Sequence, residues 1–519
     1  MDRTTSFDSS ARTICGTASS LGLFAVVEPL GLSKFIPIVL SSSGANGSFF
    51  TSELTVANRG NQPAILSFIY TASIGEGSGT ASEPAPLLPG EQRIIPDAIS
   101  YLRNLGLPIP VNGNQGGTLR VDFSGPALST EGNVLVRTTS RIPEGRAGLA
   151  YSGLAPDQLL NGPCMITGLR QNQQDRSNLA LQNAGSLEDG DIIFGLRISG
   201  TGDNPAQIFR EISLPPGGFY QVNGILTAFG SSLENGWVRI DRITGKAPYY
   251  AYGVINDQVN SDGSFIPPIP VDSMSGRSRL SLPVAVEAGQ FSTELIITNW
   301  GSSYETLHCR FVSENIPLAG ATASFTVGIL PRTQLIWPGL VQHLRDMQIE
   351  GIGTTGTTSA GPLLVASDSG DLAGIVISAR TSASGGGGEY GLFYPALPEG
   401  TASQNEAWLY GLQQNNENRS NLALVNTGEV DSSEDTFSIE LYDGETGKLA
   451  NTISGVTLAA GGWKQFNTIL AENAPQVRQG YAHVVRTGGI NPFIAYAVIN
   501  DGATPGQRSG DGAFIASAP

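Results

Sequence analysis

The chain has 519 residues, enough for roughly three to five domains of ~100–200 residues each. With 40% hydrophobic and only 14% charged residues it is too apolar for a disordered chain. A net charge of -16 excludes a nucleic-acid partner held by clustered Lys and Arg.

Residues 1–33 contain "ARTICGTASS" and "LGLFAVVEPLGL". The apolar run is too short to span a bilayer and is interrupted by Glu28 and Pro29, so no membrane insertion is expected. It also lacks the basic start and small-residue cleavage site of a signal peptide. The segment reads as the last strands of a preceding domain and a linker. Cys15, Cys164 and Cys309 are odd in number and widely spaced, so neither a disulfide framework nor a zinc site follows.

From residue 34 onward the chain repeats. "SELTVANRG", "SNLALQNAG", "TELIITNWG" and "SNLALVNTG" each alternate polar and apolar residues and close on Asn-x-Gly, at Asn58, Asn183, Asn299 and Asn426. Such a pattern is a half-buried strand entering a turn. Each copy is followed by a turn-opened strand, a short amphipathic helix and a pair of strands. The expected helices are "DAISYLRNL", "GILTAFGSSL", "GLVQHLRDM" and "TILAENAPQV". Four units result: 34–157, 158–272, 273–398 and 399–519. The first and third end in "GLAYSGL" and "GLFYPAL". The second and fourth open with "GLRQNQQDRSNLAL" and "GLQQNNENRSNLAL" and end in Asn- and Asp-rich hairpins. The order is therefore A-B-A-B. Strand signals at intervals of roughly 8–12 residues suit an all-β chain of four tandem antiparallel β-sandwiches, immunoglobulin-like, each with one short helix. The A-to-B links are short and contain Pro156 and Pro395, which favours a stiff string.

The repeat also tests candidate chemistry. His308, His343 and His483 stand where other copies carry Ser67, Tyr101 and Arg239, and none has a second ligand at metal spacing. Cys309 replaces Phe68 as a core residue. "SDSGD" around Ser369 is in register the turn between two strands, matching "DFSGP" and "RITGK", and no nucleophile elbow, P-loop or HExxH motif occurs. No catalytic residue and no cofactor is assigned, and no enzyme is expected. Ca²⁺ is the one metal to weigh, with Asp257, Asn260, Asp262, Asp501 and Asp511 as oxygen donors in the two B hairpins. The EF-hand spacing fails there, and a turn is the favoured reading. Binding candidates are Arg176 and Arg419 with Asn172 and Asn415 in the B-specific loops. Trp300 joins them as the expected exposed aromatic in its Asn-x-Gly turn.

At "NGSFFTSELTVANRG", "GLRQNQQDRSNLALQNAG" and "INDQVNSDGSFIP" the chain resembles tandem β-sandwich repeat regions toward the C-termini of large secreted bacterial proteins. The resemblance implies an extracellular or cell-surface setting and supplies no catalytic residues. The expected role is structural or adhesive: a surface stalk, an adhesin or a filament subunit acting through domain and edge-strand contacts. Its expected partners are other copies of itself or neighbouring β-sandwich domains, with a surface glycan or protein as a further class. The alternative is a carbohydrate- or protein-binding accessory region of a secreted hydrolase whose catalytic domain lies outside this chain.

Overall fold

A computed structural model describes residues 4–8, 13–16, 32–124, 132–201, 207–313, 321–385 and 387–518. The chain is almost entirely β, and its strands pair antiparallel. Strands Thr4–Asp8 and Thr13–Gly16 pair with each other in a two-stranded sheet. Every other sheet draws its strands from a single repeat unit.

The two unit types close differently. In the first unit Leu32–Ser43 pairs with Gln115–Ser124 along most of its length, then with Phe49–Asn58 at its end. It thereby joins both layers into one eight-stranded sheet. Arg279–Ala288 does the same in the third unit. The corresponding B strands, Cys164–Arg170 and Glu406–Gln413, are shorter and stay in one layer. The second and fourth units therefore form two separate sheets each.

Alternation places Leu54 and Val56, Leu179 and Leu181, Leu295 and Ile297, and Leu422 and Leu424 in the four cores. Cys309 lies in the third core, where burial pushes its thiol up to about 12. The B strands Tyr249–Asp257 and Phe493–Asp501 depart from alternation: all nine residues of each are buried. One face packs on the unit's own core and the other on the preceding A unit. Ala180, Tyr252 and Val254 join the first unit's core, and Ala423, Tyr496 and Val498 join the third's. Continuous apolar runs such as "YYAYGVI" are what burial on both faces requires.

Each Asn of the Asn-x-Gly turns is buried and performs the same task. Its Oδ1 accepts from the N–H two residues on, at 2.9–3.0 Å. Its Nδ2 donates to two carbonyls, one beyond the turn and one at the end of a facing strand: Gly190 and Leu214 for Asn183, Ser433 and Leu458 for Asn426. The side chain thus stitches the strand end to the opposite layer.

The helices lie at Ala98–Asn104, Leu340–Asp346 and Ile469–Asn473. The expected fourth, "GILTAFGSSL", does not form. That stretch is turns and a 3-10 segment at Ala228–Gly230, with Gly224 and Phe229 at positive φ. Glycines at both ends leave too few good helix formers to sustain even two turns. Asn183→Asp should keep the acceptor but lose both donated bonds and bury a charge. It should lower stability by about 3 kcal/mol or more in denaturant melts, while a surface Asn such as Asn172 tolerates the same change.

Candidate functional site

The B-specific loops and hairpins singled out in the sequence lie at the joints between units. Two joints are near-copies, one between the second and third units and one between the fourth and first. In the former, the Gly391 N–H donates to Asp262 Oδ2 at 2.8 Å and the Glu389 N–H to Asp257 Oδ2 at 2.9 Å. Asn260 Nδ2 donates to the Glu389 carbonyl at 3.1 Å. In the latter, the Gly148 N–H donates to Asp511 Oδ2 at 2.8 Å and the Arg146 N–H to Asp501 Oδ2 at 3.0 Å. Ser509 Oγ donates to the Arg146 carbonyl at 2.7 Å.

The opening strands of the B units contribute a second shared contact. Gly168 and Gly411 sit at positive φ (78° and 77°) in a break of strand register. That bulge turns their N–H groups outward to Gln334 Oε1 and Gln92 Oε1, both at 2.7 Å. Beside them, Arg170 pairs with Glu294, while Arg380 faces Asp175 at 3.9 Å and Glu389 at 3.3 Å. At the other joint Gln413 donates to Glu53 at 2.7 Å and Arg137 to Asn418 at 2.6 Å. The A faces keep their Glu and Arg, and the B faces exchange Arg and Asp for Gln and Asn.

Within each A-B pair the contact is aromatic. Tyr151, Tyr252 and Phe265 stack at centroid separations of 5.1–6.3 Å. Tyr394, Tyr496 and Phe514 occupy the equivalent place at 5.1–5.9 Å, with Tyr394 edge-on to the other two rings. Each unit therefore touches the next and the fourth touches the first. The units close into a ring, and the short proline-containing links do not hold them in an extended string.

The Asp and Asn residues weighed as Ca²⁺ donors all lie at these joints, spending oxygens on backbone N–H groups. Among the described residues no group of three or more His, Cys, Asp or Glu is placed to hold a metal. Asp262 and Asp511 each leave Oδ1 without a hydrogen-bond partner. Burial drives the Asp262 carboxyl up to about 7, and Asp511 rises through burial and the charge of Asp262.

Asn172 and Asn415 are exposed turn formers. Asn172 Oδ1 accepts the N–H groups of Gln174 and Asp175, and Asn415 Oδ1 those of Glu417 and Asn418. Trp300 is not the exposed aromatic expected: it is 9% exposed. Its N–H bonds to the Gly374 carbonyl, which folds the turn down and lays the indole on the third core. Arg419 is buried and donates to the carbonyls of Asp501 and Gly502 at 3.1 and 2.9 Å. Arg176 is half-buried, its backbone paired with Asn256, and its guanidinium makes no hydrogen bond among the described residues.

Two cavities flank the joints. One of about 690 Å³ lies between the first and fourth units, lined by Asn415, Glu417, Arg137, Arg141, Arg146 and Arg478. The other, about 700 Å³, lies between the first and second units and contains Arg176, Asn178, Asn256, Phe219 and Tyr252. Asn178, Asn256 and Phe219 were not singled out in the sequence. The legible signal was the replacement of Trp463 by Phe219 at equivalent positions.

No family model and no curated protein matches the chain. A solved structure titled "Crystal Structure of Thermotoga maritima 1070" is similar over 24% of this chain and 96% of its own, at 14% identity and a TM-score of 0.18.

The raised Asp262 carboxyl has a consequence for stability. Between about pH 4 and 7 the folded chain holds a proton that the unfolded chain has released, so this contribution is lost as pH rises through that window. Asp511, Asp257 and Arg380 act on the same group. Asp262→Asn keeps the acceptor for Gly391 and removes the titration. Its melting temperature should gain on the unmodified chain as pH goes from 5 to 8; parallel curves would refute the assignment.

Proposed function

We propose that the chain is four immunoglobulin-like β-sandwich domains, A-B-A-B, serving as a structural or adhesive protein at the cell surface. The observation that carries this reading is the pair of interlocked joints. Buried Arg, Asp and amide side chains tie each B domain to one A domain and an aromatic cluster ties it to the other, which makes the array one rigid body. Rigid presentation of a fixed surface is what an adhesin or a surface spacer needs. Edge strands and the outer faces of the ring are its contact surfaces toward further copies or neighbouring sandwiches. Among the described residues no helix is long and apolar enough to cross a membrane.

Chemistry on the chain itself finds little support. Ser369 donates to the Glu305 carboxylate at 2.6 Å, and the nearby His308 pairs with exposed Asp368 at 3.2 Å. His483 lies between Glu440 and Glu406 and stacks on Trp408 at 3.9 Å. The second reading, a binding region of a secreted hydrolase, is favoured by the cavity between the first and second units.

Scattering in solution tests the rigid ring. A compact body of this length has a radius of gyration of about 24 Å. The unmodified chain should lie near that value, and Arg137→Ala combined with Arg380→Ala should raise it. An unmodified chain already much larger would contradict the closed array. Antibodies against the chain should label intact cells of the producing organism. Labelling only after permeabilisation would sink the surface role.

A further inference from the structure

The two A-B pairs are built to one plan, and the differences between them converge on one place. In the fourth unit, Trp463 lies on strand Trp463–Phe466 opposite Val425, and its indole N–H donates to the Tyr496 hydroxyl at 3.0 Å. Both side chains are buried. In the second unit the equivalent positions are Phe219 and Tyr252. Phenylalanine has no N–H to give, and the smaller ring leaves space. The Tyr252 side chain is 4% exposed and makes no hydrogen bond among the described residues.

The arginines differ in the same way. Arg419 is held by the carbonyls of Asp501 and Gly502. For Arg176 the equivalent of Gly502 is Gln258, and the Gln258 carbonyl is taken by Asn46 Nδ2 at 2.6 Å. Asn46 belongs to a hairpin unique to the first unit. Leu40 and Ser52, bonded N–H to Oγ, lie twelve residues apart, whereas Val286 and Thr293, bonded alike in the third unit, lie seven apart. The five additional residues reach across to the second unit, wall the cavity with Ser43, Gly44 and Ala45, and occupy one of the two carbonyls equivalent to those that hold Arg419. The charge that acts on Arg176 is Asp257. That carboxylate already accepts from Gln174 Nε2 and from the N–H groups of Val259, Asn260 and Glu389.

The cavity of about 700 Å³ falls within the range of roughly 300–1,000 Å³ typical of small-molecule sites. Among the described residues Arg176 is the sole charged one lining it, in a chain of net charge -16. Leu40, Phe50, Ile74, Leu149 and Phe219 supply apolar wall, and exposed Tyr220, Gln221 and Asn223 stand at its solvent side. A guanidinium fork with no partner recognises a carboxylate in two parallel hydrogen bonds. We propose that this cavity binds a small monocarboxylic acid with an apolar body. The carboxylate lies on Arg176, and the hydrocarbon runs toward Phe219 and Tyr252.

Calorimetry on the full chain with octanoate, octanamide and cellobiose tests this. Octanoate should bind saturably at one site, octanamide at least tenfold more weakly, and cellobiose not at all. Arg176→Gln should weaken octanoate at least tenfold. Phe219→Trp, which installs the side chain of the other pair, should abolish binding while the melting temperature without probe holds or rises. Equal affinity for octanoate and octanamide, no binding of octanoate, or binding of cellobiose in its place would overturn the proposal. The comparison of acid and amide uses the unmodified chain, so it stands whether or not a variant folds. Because binding is read on purified protein, surface labelling and this site can fail separately.

Discussion

The architecture depends on burying both faces of the B strands Tyr249–Asp257 and Phe493–Asp501. A sandwich strand ordinarily hides one face and wets the other. Here the second face carries Tyr250, Tyr252 and Val254 in one strand and Ile494, Tyr496 and Val498 in the other, which exposed alone would leave a broad apolar patch. An A unit must cover it. That requirement fixes the aromatic stacks, and the stacks bring the end of each A unit to the B hairpins. The joints with the following A unit are then assembled around a centre already defined.

Specificity at that centre comes from polar groups, because apolar faces alone would accept either A unit on either B unit. The third unit offers Glu294 and Arg380, the first Glu53 and Arg137. To these the second unit answers with the charged Arg170 and Asp175, and the fourth with Gln413 and Asn418 at the equivalent positions. Exchanging the partners would leave hydrogen bonds possible but would change which charges are neutralised. Buried pairs of this kind contribute little net stability, and breaking one partner is costly. They act here as a means of discrimination between two otherwise similar docking events.

Much of this was legible in the sequence. The Asn-x-Gly repeats marked the strand ends, and the structure explains the Asn by its three hydrogen bonds. The helix in the second unit was not legible, because an amphipathic pattern bounded by glycines satisfies a turn as well as a helix. Trp300 was misplaced for a related reason. Its counterparts Arg59, Ala184 and Thr427 suggest solvent, yet the turn folds back, and Ala184 and Thr427 are also buried. The joints could not be read because they pair residues far apart in sequence: 129 positions for Asp262 with Gly391, 281 for Arg137 with Asn418 and 363 for Gly148 with Asp511. The cavity left a trace only as an insertion and a Trp-to-Phe exchange between copies.

The closure of the fourth unit on the first also bears on how the chain reaches its native state. The A-B stacks form between neighbours in sequence, whereas the last joint must bring together segments separated by most of the polypeptide. Contacts of such high sequence separation form late and slowly. Before that step the first unit's Glu53 and Arg137 and the fourth unit's Gln413 and Asn418 lack their partners. At high concentration the same surfaces can be satisfied between two chains, each lending its fourth unit to the other. Domain exchange of this sort needs no new contact, so the joint that completes one molecule is equally the means by which two could become entangled.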